Sequence, residues 1–566
     1  MFRRNATATA RSEARRALAN LPRAAAVLGH PLSLLASSVL AGLIQALSMA
    51  WPDSGTPVWW LQLVSLAVLC IIIRRATSWR SAAAMAWLFA TAWLAGSFWW
   101  LFIAMHEHGG VPAPLAALGV LALAGGVAVY YAAAGAVFRA GVRGHPLRNG
   151  LLFAAVWLGA ELARGTFLTG FPWAAAGYAH VDGPLSGLAP WLGVYGISAF
   201  AALSAYLLSV VAQPAARSGS SCRRVVAYVV LMGAVSGTAD RWKVDVRLEG
   251  TPLRVALLQG NIAQQQKFDS ETGIPTALGW YGRALSETPA DLLITPETAI
   301  PLLPQDLPTG YMTALKASIS ASGRAALVGL PLGSVEKGYT NSVVGLAPKA
   351  AEYRYDKHHL VPFGEFSPPM FGWLTHVMNI PLGDFRRGPV AQHSFAWRGQ
   401  RLAPNICYED LLGEELAVRF RDAPSAPTIL VNLSNIAWFG NTAVIDQHLQ
   451  ISRMRAMEFR RPVIRATNTG ATAAIDAYGR VTGMLPRHTR GVLVAEVQGA
   501  TGSTPFAWWS SRFGVWPLWM SVLAILCLTL WPPRSSSGGF RDRAKRYSDQ
   551  DSRGGNVDCR AAHFGG

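Results

Sequence analysis

The stretch Asn405-Ile-Cys-Tyr-Glu-Asp410 contains the end of a short apolar run, 402–407, of the kind that forms a buried β-strand. Active sites of α/β sheets collect where such strands end, because the loops there bring together side chains from several strands. Of the five cysteines, Cys407 is the one in the globular part of the sequence; two lie in apolar runs and two in basic flanking segments. No disulfide framework is therefore expected around it. Cys407 is a candidate nucleophile, with a buried core residue as the alternative.

Two further segments place ionisable residues at the ends of apolar runs. Glu297 lies in Leu-Ile-Thr-Pro-Glu-Thr, and Lys357 opens Lys-His-His-Leu-Val-Pro-Phe-Gly-Glu365. A carboxylate can take the proton of a thiol, the thiolate can attack an ester or amide carbonyl, and a lysine can stabilise the oxyanion. Taken singly, Glu297 can be a helix cap and Lys357 a solvated charge. The three residues in this order favour covalent acyl transfer.

The sequence around these residues reads as an α/β domain. Eight segments between 253 and 506 are predicted as strands: 254–258, 291–295, 325–330, 402–407, 428–432, 463–467, 473–477 and 492–497. Three segments between them are predicted as helices: 275–285, 311–322 and 444–459. Such alternation is typical of layered α/β domains with buried sheets.

The rest of the chain is far more apolar than a soluble protein. Of the 566 residues 51% are hydrophobic and only 14% charged, and long uncharged runs fill the first part of the sequence. A helix needs roughly 20 apolar residues to cross the ~30 Å hydrocarbon core of a bilayer. This length predicts eight spanning helices, over 31–51, 58–73, 82–105, 115–138, 151–168, 188–211, 225–239 and 515–531.

The arginines predict how these helices are oriented. Basic residues cluster before the first helix, in every second connection and after the last helix, whereas 52–57, 106–114 and 169–187 contain no Lys or Arg. Because basic loops stay on the cytoplasmic side, both termini are expected there, and the globular domain on the opposite side. The formal net charge of +18 thus reflects topology, and no nucleic-acid partner is expected.

Five regions follow from these patterns. They are a basic cytoplasmic segment (1–30), a membrane domain with helices one to seven (31–240), the globular domain (252–507), a last membrane helix (513–531) and a polar, disordered cytoplasmic tail (532–566). In the fifth helix, Glu161 is expected to pair with Arg164, because an isolated charge is costly in lipid.

At the segments around Glu297, Lys357 and Cys407 the globular domain resembles the nitrilase, or carbon-nitrogen hydrolase, superfamily. The sites of that superfamily use a Glu, a Lys and a Cys in the same order along the chain. In the membrane part, Arg164-Gly-Thr-Phe-Leu-Thr-Gly-Phe-Pro-Trp173 is similar to the bacterial apolipoprotein N-acyltransferases. So are Asn-Ile-Ala-Trp-Phe-Gly from Asn435 and Arg-Ala-Thr-Asn-Thr-Gly from Arg465. The resemblance implies a polytopic α-helical membrane domain joined to a nitrilase-like αββα sandwich.

The resemblance also implies an activity. It is that of an inner-membrane, multi-pass enzyme with a periplasmic catalytic domain, which moves an acyl chain from a phospholipid to the α-amine of a diacylglyceryl-cysteine at the N-terminus of an apolipoprotein. The acyl chain would pass through a thioester on Cys407. Glu297, Lys357 and Cys407 would form the catalytic triad, with Glu365, Tyr408 and Glu409 orienting it and the substrate. No metal or other cofactor is expected.

Both substrates are lipids, so the site should open toward the bilayer. Four aromatic residues are predicted to cover it on that side: Trp438, Phe439, Phe371 and Trp373. Packing inside the protein is the alternative for all four. Two rival functions also fit the sequence, a membrane-tethered amidase or nitrilase that releases its product to water, and an inactive membrane scaffold.

Overall fold

The computed structural model describes residues 31–212, 246–349, 351–366 and 385–531. Helices fill the first range, and strands alternate with helices in the others until two final helices. The predicted seventh membrane helix, both predicted cytoplasmic ends, and the residues Phe371 and Trp373 lie outside the described residues.

Seven helices of at least 13 residues follow one another in the first range. They are α1 (Pro31–Met49), α2 (Trp59–Arg75), α3 (Trp79–Phe98), α4 (Ala113–Val127), α5 (Val129–Gly141), α6 (Pro146–Thr166) and α7 (Ala189–Val211). The start of α3 shows how the sequence sets a boundary. Ser78 caps it, because its hydroxyl accepts a 3.2 Å hydrogen bond from the backbone N–H of Ser81. The helix thus begins directly after a basic turn.

In the part of the chain that the structure describes, five helical stretches are long and apolar enough to cross a membrane: Leu32–Met49, Trp79–Phe98, Ala113–Gly141, Pro146–Thr169 and Ser186–Val211. The third contains both α4 and α5. A sixth exists if the two last helices, α11 (Pro505–Phe513) and α12 (Trp516–Leu530), which meet at 91°, are counted as one bent span.

Eight spanning helices were predicted, and this number is not confirmed. The second predicted span corresponds to α2, which has 17 residues and is one residue shorter than the 18 that the other spans reach. The last corresponds to α12, with 15 residues, where Gly514 (φ 55°) breaks the chain away from α11. Five or six apolar spans are therefore found in the described residues.

Within the described ranges, twelve strands form two sheets of six. They are β1 (Arg247–Gln259), β2 (Leu292–Ile294), β3 (Ala325–Ser334), β4 (Gly338–Leu346), β5 (Tyr353–Asp356), β6 (Phe395–Trp397), β7 (Gln400–Ile406), β8 (Ile429–Ser434), β9 (Val463–Thr467), β10 (Ala473–Ile475), β11 (Val481–Met484) and β12 (Gly491–Thr501). The first sheet has the order β12-β1-β2-β3-β4-β5 and the second β11-β10-β9-β8-β7-β6. Strands β1 to β3 run parallel to one another, as do β7 to β9.

The sheets and helices stack in layers, as the predicted α/β architecture requires. Leu257 of β1 and Val431 of β8 meet in the apolar core between the sheets. The next residue on β1, Leu258, points the other way and packs under the helices α8 (Gly273–Glu287) and α9 (Tyr311–Ala321). Helix α10 (Val444–Phe459) packs against the second sheet and also contacts α7 of the membrane part.

All eight predicted strands and all three predicted helices of this domain are confirmed, with ends shifted by a few residues. Four strands were not predicted: β4, β5, β6 and β11. Strands β5 and β6 have only four and three residues, and β11 is mostly exposed at a sheet edge. Strand β4 begins with polar residues that are nevertheless buried, and these take part in the site described next.

Candidate active site

Cys407 lies directly after β7, where the chain leaves the second sheet. Its backbone has φ 53°, a left-handed conformation that residues other than glycine rarely adopt. The Nδ2 atom of Asn432, on the neighbouring strand β8, donates a 3.3 Å hydrogen bond to the Cys407 carbonyl. The side chain is partly exposed. This sharp turn therefore presents a thiol beyond the end of a buried strand.

The structure brings Glu297 and Lys357 together at the same place. Glu297 follows β2, Lys357 follows β5, and Lys357 Nζ lies 3.3 Å from Glu297 Oε1. Both side chains are buried, Lys357 to 1% exposure. The other oxygen, Glu297 Oε2, accepts a 2.8 Å hydrogen bond from the backbone N–H of Asn435, directly after β8. The carboxylate is thereby fixed between the two sheets.

A second carboxylate, Glu365, shares the same lysine. It lies 2.9 Å from Lys357 Nζ and accepts a 2.8 Å hydrogen bond from the Val361 N–H. Asn341 of β4 joins the two acids, because its Nδ2 donates to Glu297 at 2.7 Å and to Glu365 at 2.8 Å. Lysine and asparagine together hold two carboxylates side by side that would otherwise repel each other.

Burial and two neighbouring carboxylates keep the Cys407 thiol protonated in the resting protein. Burial raises the pKa of the Cys407 thiol, and the Glu297 and Glu365 carboxylates raise it further against the opposing effect of Lys357. Burial alone would lower the pKa of Lys357, but Glu297 and Glu365 raise it above its ordinary value. The lysine is therefore a permanent cation, and a thiolate can form only as a base takes the proton.

Glu409 connects the nucleophile's strand to the lysine's segment. Its carboxylate accepts hydrogen bonds of 2.6 Å from the backbone N–H groups of Ile406 and of His358, and Tyr355 donates its hydroxyl at 2.8 Å. Burial raises the pKa of Glu409, and the Ile406 N–H opposes that shift. The arrangement positions Cys407 and Lys357 relative to each other.

Tyr408 and the pair Trp438–Phe439 connect the site to the membrane part. The Tyr408 hydroxyl donates a 3.0 Å hydrogen bond to the Gly170 carbonyl, in the loop after α6. The Phe439 ring lies 4.5 Å from the ring of Trp100, and the Trp438 ring 5.6 Å from that of His108. Trp438 and Phe439 are half-buried. They thus pack on residues that follow α3, at the boundary between the two parts.

Sequence reasoning missed three polar residues of this site. Asn341 bridges the two carboxylates, Asn435 holds Glu297, and the buried Lys267 donates a 3.2 Å hydrogen bond to the Glu297 carbonyl. Asn435 is the first residue of a segment that resembles the apolipoprotein N-acyltransferases, and this resemblance was the one signal in the sequence that could have identified it as a site residue. Asn341 and Lys267 lie in stretches whose polar character indicated exposure.

Fold, site and family models agree on the class of protein. Residues 254–506 match the carbon-nitrogen hydrolase family, and residues 41–207 match the apolipoprotein N-acyltransferase N-terminal domain. A solved amidase from Nesterenkonia sp. aligns with a TM-score of 0.33 at 17% identity, covering 46% of this chain and 94% of that one. By the two family models, the chain is a carbon-nitrogen hydrolase domain joined to apolar helices.

Curated relatives give the family more narrowly. An apolipoprotein N-acyltransferase of Verminephrobacter eiseniae is 54% identical over 506 residues, covering 84% of this chain and 92% of that relative. One from Ralstonia nicotianae is 45% identical, covering 79% and 85%. One from Bordetella bronchiseptica is 42% identical, covering 87% and 94%. The chain belongs to the apolipoprotein N-acyltransferase family, and it is an acyltransferase.

Proposed function

We propose that the protein moves an acyl chain from a phospholipid to the α-amine of the N-terminal diacylglyceryl-cysteine of an apolipoprotein, through a thioester on Cys407. The observation that carries this proposal is that Glu297, Lys357 and Cys407 lie close together, each just after the end of a strand. The hydrogen bond from Tyr408 to Gly170 joins this site to the loop after the membrane helix α6.

In the first half-reaction Glu297 takes the proton of the Cys407 thiol, and the sulfur attacks the carbonyl carbon of a phospholipid ester. The tetrahedral intermediate collapses when its bond to the glycerol oxygen breaks. Glu297 returns the proton to that oxygen, and a lysophospholipid leaves. The raised pKa of the thiol supports this order, because the free thiolate does not accumulate before substrate binds.

In the second half-reaction the neutral amine of the acceptor attacks the thioester carbon. Glu297 takes a proton from the attacking nitrogen, the carbon–sulfur bond breaks, and the proton passes to the Cys407 sulfur. An amide has formed, and the enzyme is back in its first state. The same base therefore serves both halves.

Lys357 stabilises both tetrahedral intermediates as a fixed cation, together with backbone N–H groups after the nucleophile. Glu365 holds that lysine at 2.9 Å, while Glu409 and Tyr408 orient the segments on either side of Cys407. Trp438 and Phe439 cover the thioester with apolar surface and keep water from it. For Phe371 and Trp373 we propose the same role from their place in the sequence.

The membrane placement follows the positive-inside pattern. Both termini lie in the cytoplasm, and the hydrolase domain lies on the periplasmic side of the inner membrane, where both lipid substrates reach it. Arg143, after α5, supports a single basic end of the bundle, since it donates hydrogen bonds of 3.2 Å to the carbonyls of Leu530 and Trp531 at the end of α12.

The test is a two-substrate assay with the purified full chain. The protein is incubated with two substrates, a phospholipid with an isotopically labelled acyl chain and a diacylated lipopeptide with a free N-terminus. The products are identified by mass spectrometry. We expect a labelled, triacylated lipopeptide from the wild type and from Cys527→Ala, whose exposed thiol is the matched control, but none from Cys407→Ala. Labelled fatty acid without lipopeptide product would instead identify a hydrolase and refute the proposal.

A further inference from the structure

Lys267 is a second buried lysine beside the active site. It lies between β1 and α8, is 4% exposed, and its Nζ donates a 3.2 Å hydrogen bond to the main-chain carbonyl of Glu297. An ammonium carries three N–H bonds. Among the described residues, the bond to Glu297 is the hydrogen bond that Nζ makes, and no described carboxylate forms an ion pair with it.

Such a cation is costly unless its charge serves a purpose. Burying an ammonium without a paired carboxylate costs several kcal/mol, whereas an aliphatic side chain of similar length would carry no such penalty. The 3.2 Å hydrogen bond to the Glu297 carbonyl places this cation beside the base. The charges of Glu297 and Cys407 oppose the lowering of the Lys267 pKa by burial.

The site has an excess of negative charge for Lys267 to balance. Lys357 is one cation between two carboxylates, Glu297 and Glu365. The buried Glu409 carboxylate lies nearby, and the described residues that donate hydrogen bonds to it do so through backbone N–H groups and a hydroxyl, not through a cation. Proton transfer from Cys407 moves further negative charge onto sulfur.

Two more groups face Cys407 from the second sheet's side. Burial and Arg465 lower the pKa of His448 well below its usual range, so this histidine of α10 is neutral. Burial lowers the pKa of Arg465 to about 10, and Asp410 opposes this shift. The charge of Arg465 interacts with Asp410 first and with Cys407 second, so it is shared between these two groups.

We propose that Lys267 is a positioning residue of the reaction: its ammonium holds the Glu297 main chain and stabilises the negative charge that Glu297 and the Cys407 sulfur exchange. The bond that breaks is S–H, and the proton goes to a Glu297 carboxylate oxygen. This deepens the proposed function and rests on it for the chemistry, but the test below needs neither lipid substrate, so the two can fail separately.

The test is the pH dependence of Cys407 alkylation by iodoacetamide, a reagent that reacts with the thiolate. The rate constant is followed on the Cys407 peptide by mass spectrometry from pH 6 to 10, in the full-length protein. The variants are Lys267→Met, which removes the charge, and Lys267→Arg, which keeps it. Lys316→Met is the matched control, because Lys316 lies on α9 and pairs with the exposed Glu352.

At pH 7, Lys267→Met should react at least about tenfold more slowly than the wild type, the equivalent of one pH unit. Lys267→Arg and Lys316→Met should stay within about twofold. Burial lowers the pKa of Lys267 to about 8, so the wild type loses this cation above that pH. By pH 10 the alkylation rate of the wild type should therefore equal that of Lys267→Met, while Lys267→Arg should still react faster than Lys267→Met.

A purely structural role gives a different result. In that case Lys267→Met would react more slowly by the same factor at every pH, or at the wild-type rate throughout, and either outcome overturns the proposal. If Lys267→Met does not fold, the wild type and Lys267→Arg still decide. The wild-type profile should flatten near pH 8 and that of Lys267→Arg should not, and identical shapes would overturn the proposal.

Discussion

Glu458 Oε1 accepts a 2.7 Å hydrogen bond from the backbone N–H of Val194. Glu458 belongs to α10 of the hydrolase domain, and Val194 to the membrane helix α7. Gly193, just before it, has φ 67°, and a Cβ there would lie 2.4 Å from the Phe506 ring. Gly193 therefore interrupts the helix, and the N–H of Val194 has no partner in the preceding turn. A side chain of the hydrolase domain accepts the hydrogen bond instead. The two parts are bound at a helix end.

Removing this acceptor should loosen the contact between the two parts. Glu458 Oε2 also lies 2.7 Å from Arg455 Nη1, and both side chains are buried. Glu458→Ala leaves a buried N–H without its acceptor and takes the paired carboxylate from a buried guanidinium, so we expect a loss of about 3 to 5 kcal/mol of stability. Thermal unfolding followed by tryptophan fluorescence measures it. Glu287→Ala, at an exposed position at the end of α8, is the control, and an equal melting temperature for both variants would contradict the assignment.

The same residue should make stability depend on pH. Burial raises the pKa of Glu458 from 4.5 to about 7, with Arg455 opposing. Between these values the folded state binds more protons than the unfolded state, so stability should fall as the pH rises from about 4.5 to about 7.

Glu458→Gln removes that titration. Its melting temperature should therefore change less between pH 5 and 8 than that of the wild type. Some slope should remain, because burial also raises the pKa of Glu414 to about 7. If the melting temperatures of the variant and the wild type changed in parallel with pH, Glu458 would not titrate between pH 5 and 8, and the prediction would be wrong.

Asn341 should be necessary for activity although it carries no charge. Its Nδ2 donates to both Glu297 and Glu365. Asn341→Asp has almost the same shape but places a third carboxylate against these two. We expect acyl transfer to fall by about 10² or more, since several kcal/mol of repulsion and two lost hydrogen bonds disturb the base. A folded Asn341→Asp protein with wild-type turnover would exclude this role.

Gln447 of α10 should matter for stability more than for chemistry. Its Oε1 accepts hydrogen bonds from the indole N–H groups of Trp173 (2.7 Å) and Trp100 (3.2 Å), and its Nε2 donates to the Ser97 carbonyl at 3.3 Å. In Gln447→Leu two buried indole N–H groups lose their acceptor, at about 1 to 3 kcal/mol each. The melting temperature should drop by several degrees, whereas Gln265→Leu, at an exposed position, should leave it unchanged.

Much of the site could be predicted because its triad lies at the ends of strands with recognisable apolar runs. Cys407 follows β7 in one sheet and Glu297 follows β2 in the other, and the stacking of the two sheets brings these strand ends together. Asn341 and Lys267 were not predicted as site residues, because the local sequence does not show whether a polar side chain is buried. The run Thr340-Asn341-Ser342 is polar but buried, since its hydrogen-bond partners come from segments distant in sequence.

The membrane part shows the same limit. Glu161 and Arg164 were predicted to pair; their charges interact, but in the described chain each side chain makes its hydrogen bonds to other groups. Glu161 accepts a 2.8 Å hydrogen bond from the Ala176 N–H, and Arg164 donates at 2.8 Å to the Phe171 carbonyl. Both charges hold the loop that follows α6. Helix periodicity placed them on adjacent turns but could not show that this loop folds back onto them.

The most direct measurement of the central claim is the mass of the protein after incubation with phospholipid alone. The account predicts a fatty-acyl adduct on the Cys407 peptide. It should be absent from Cys407→Ala, present in Cys527→Ala, and discharged when a diacylated lipopeptide is added. A folded wild-type protein that forms triacylated lipopeptide while no Cys407 adduct appears, even on rapid quenching, would contradict the thioester mechanism.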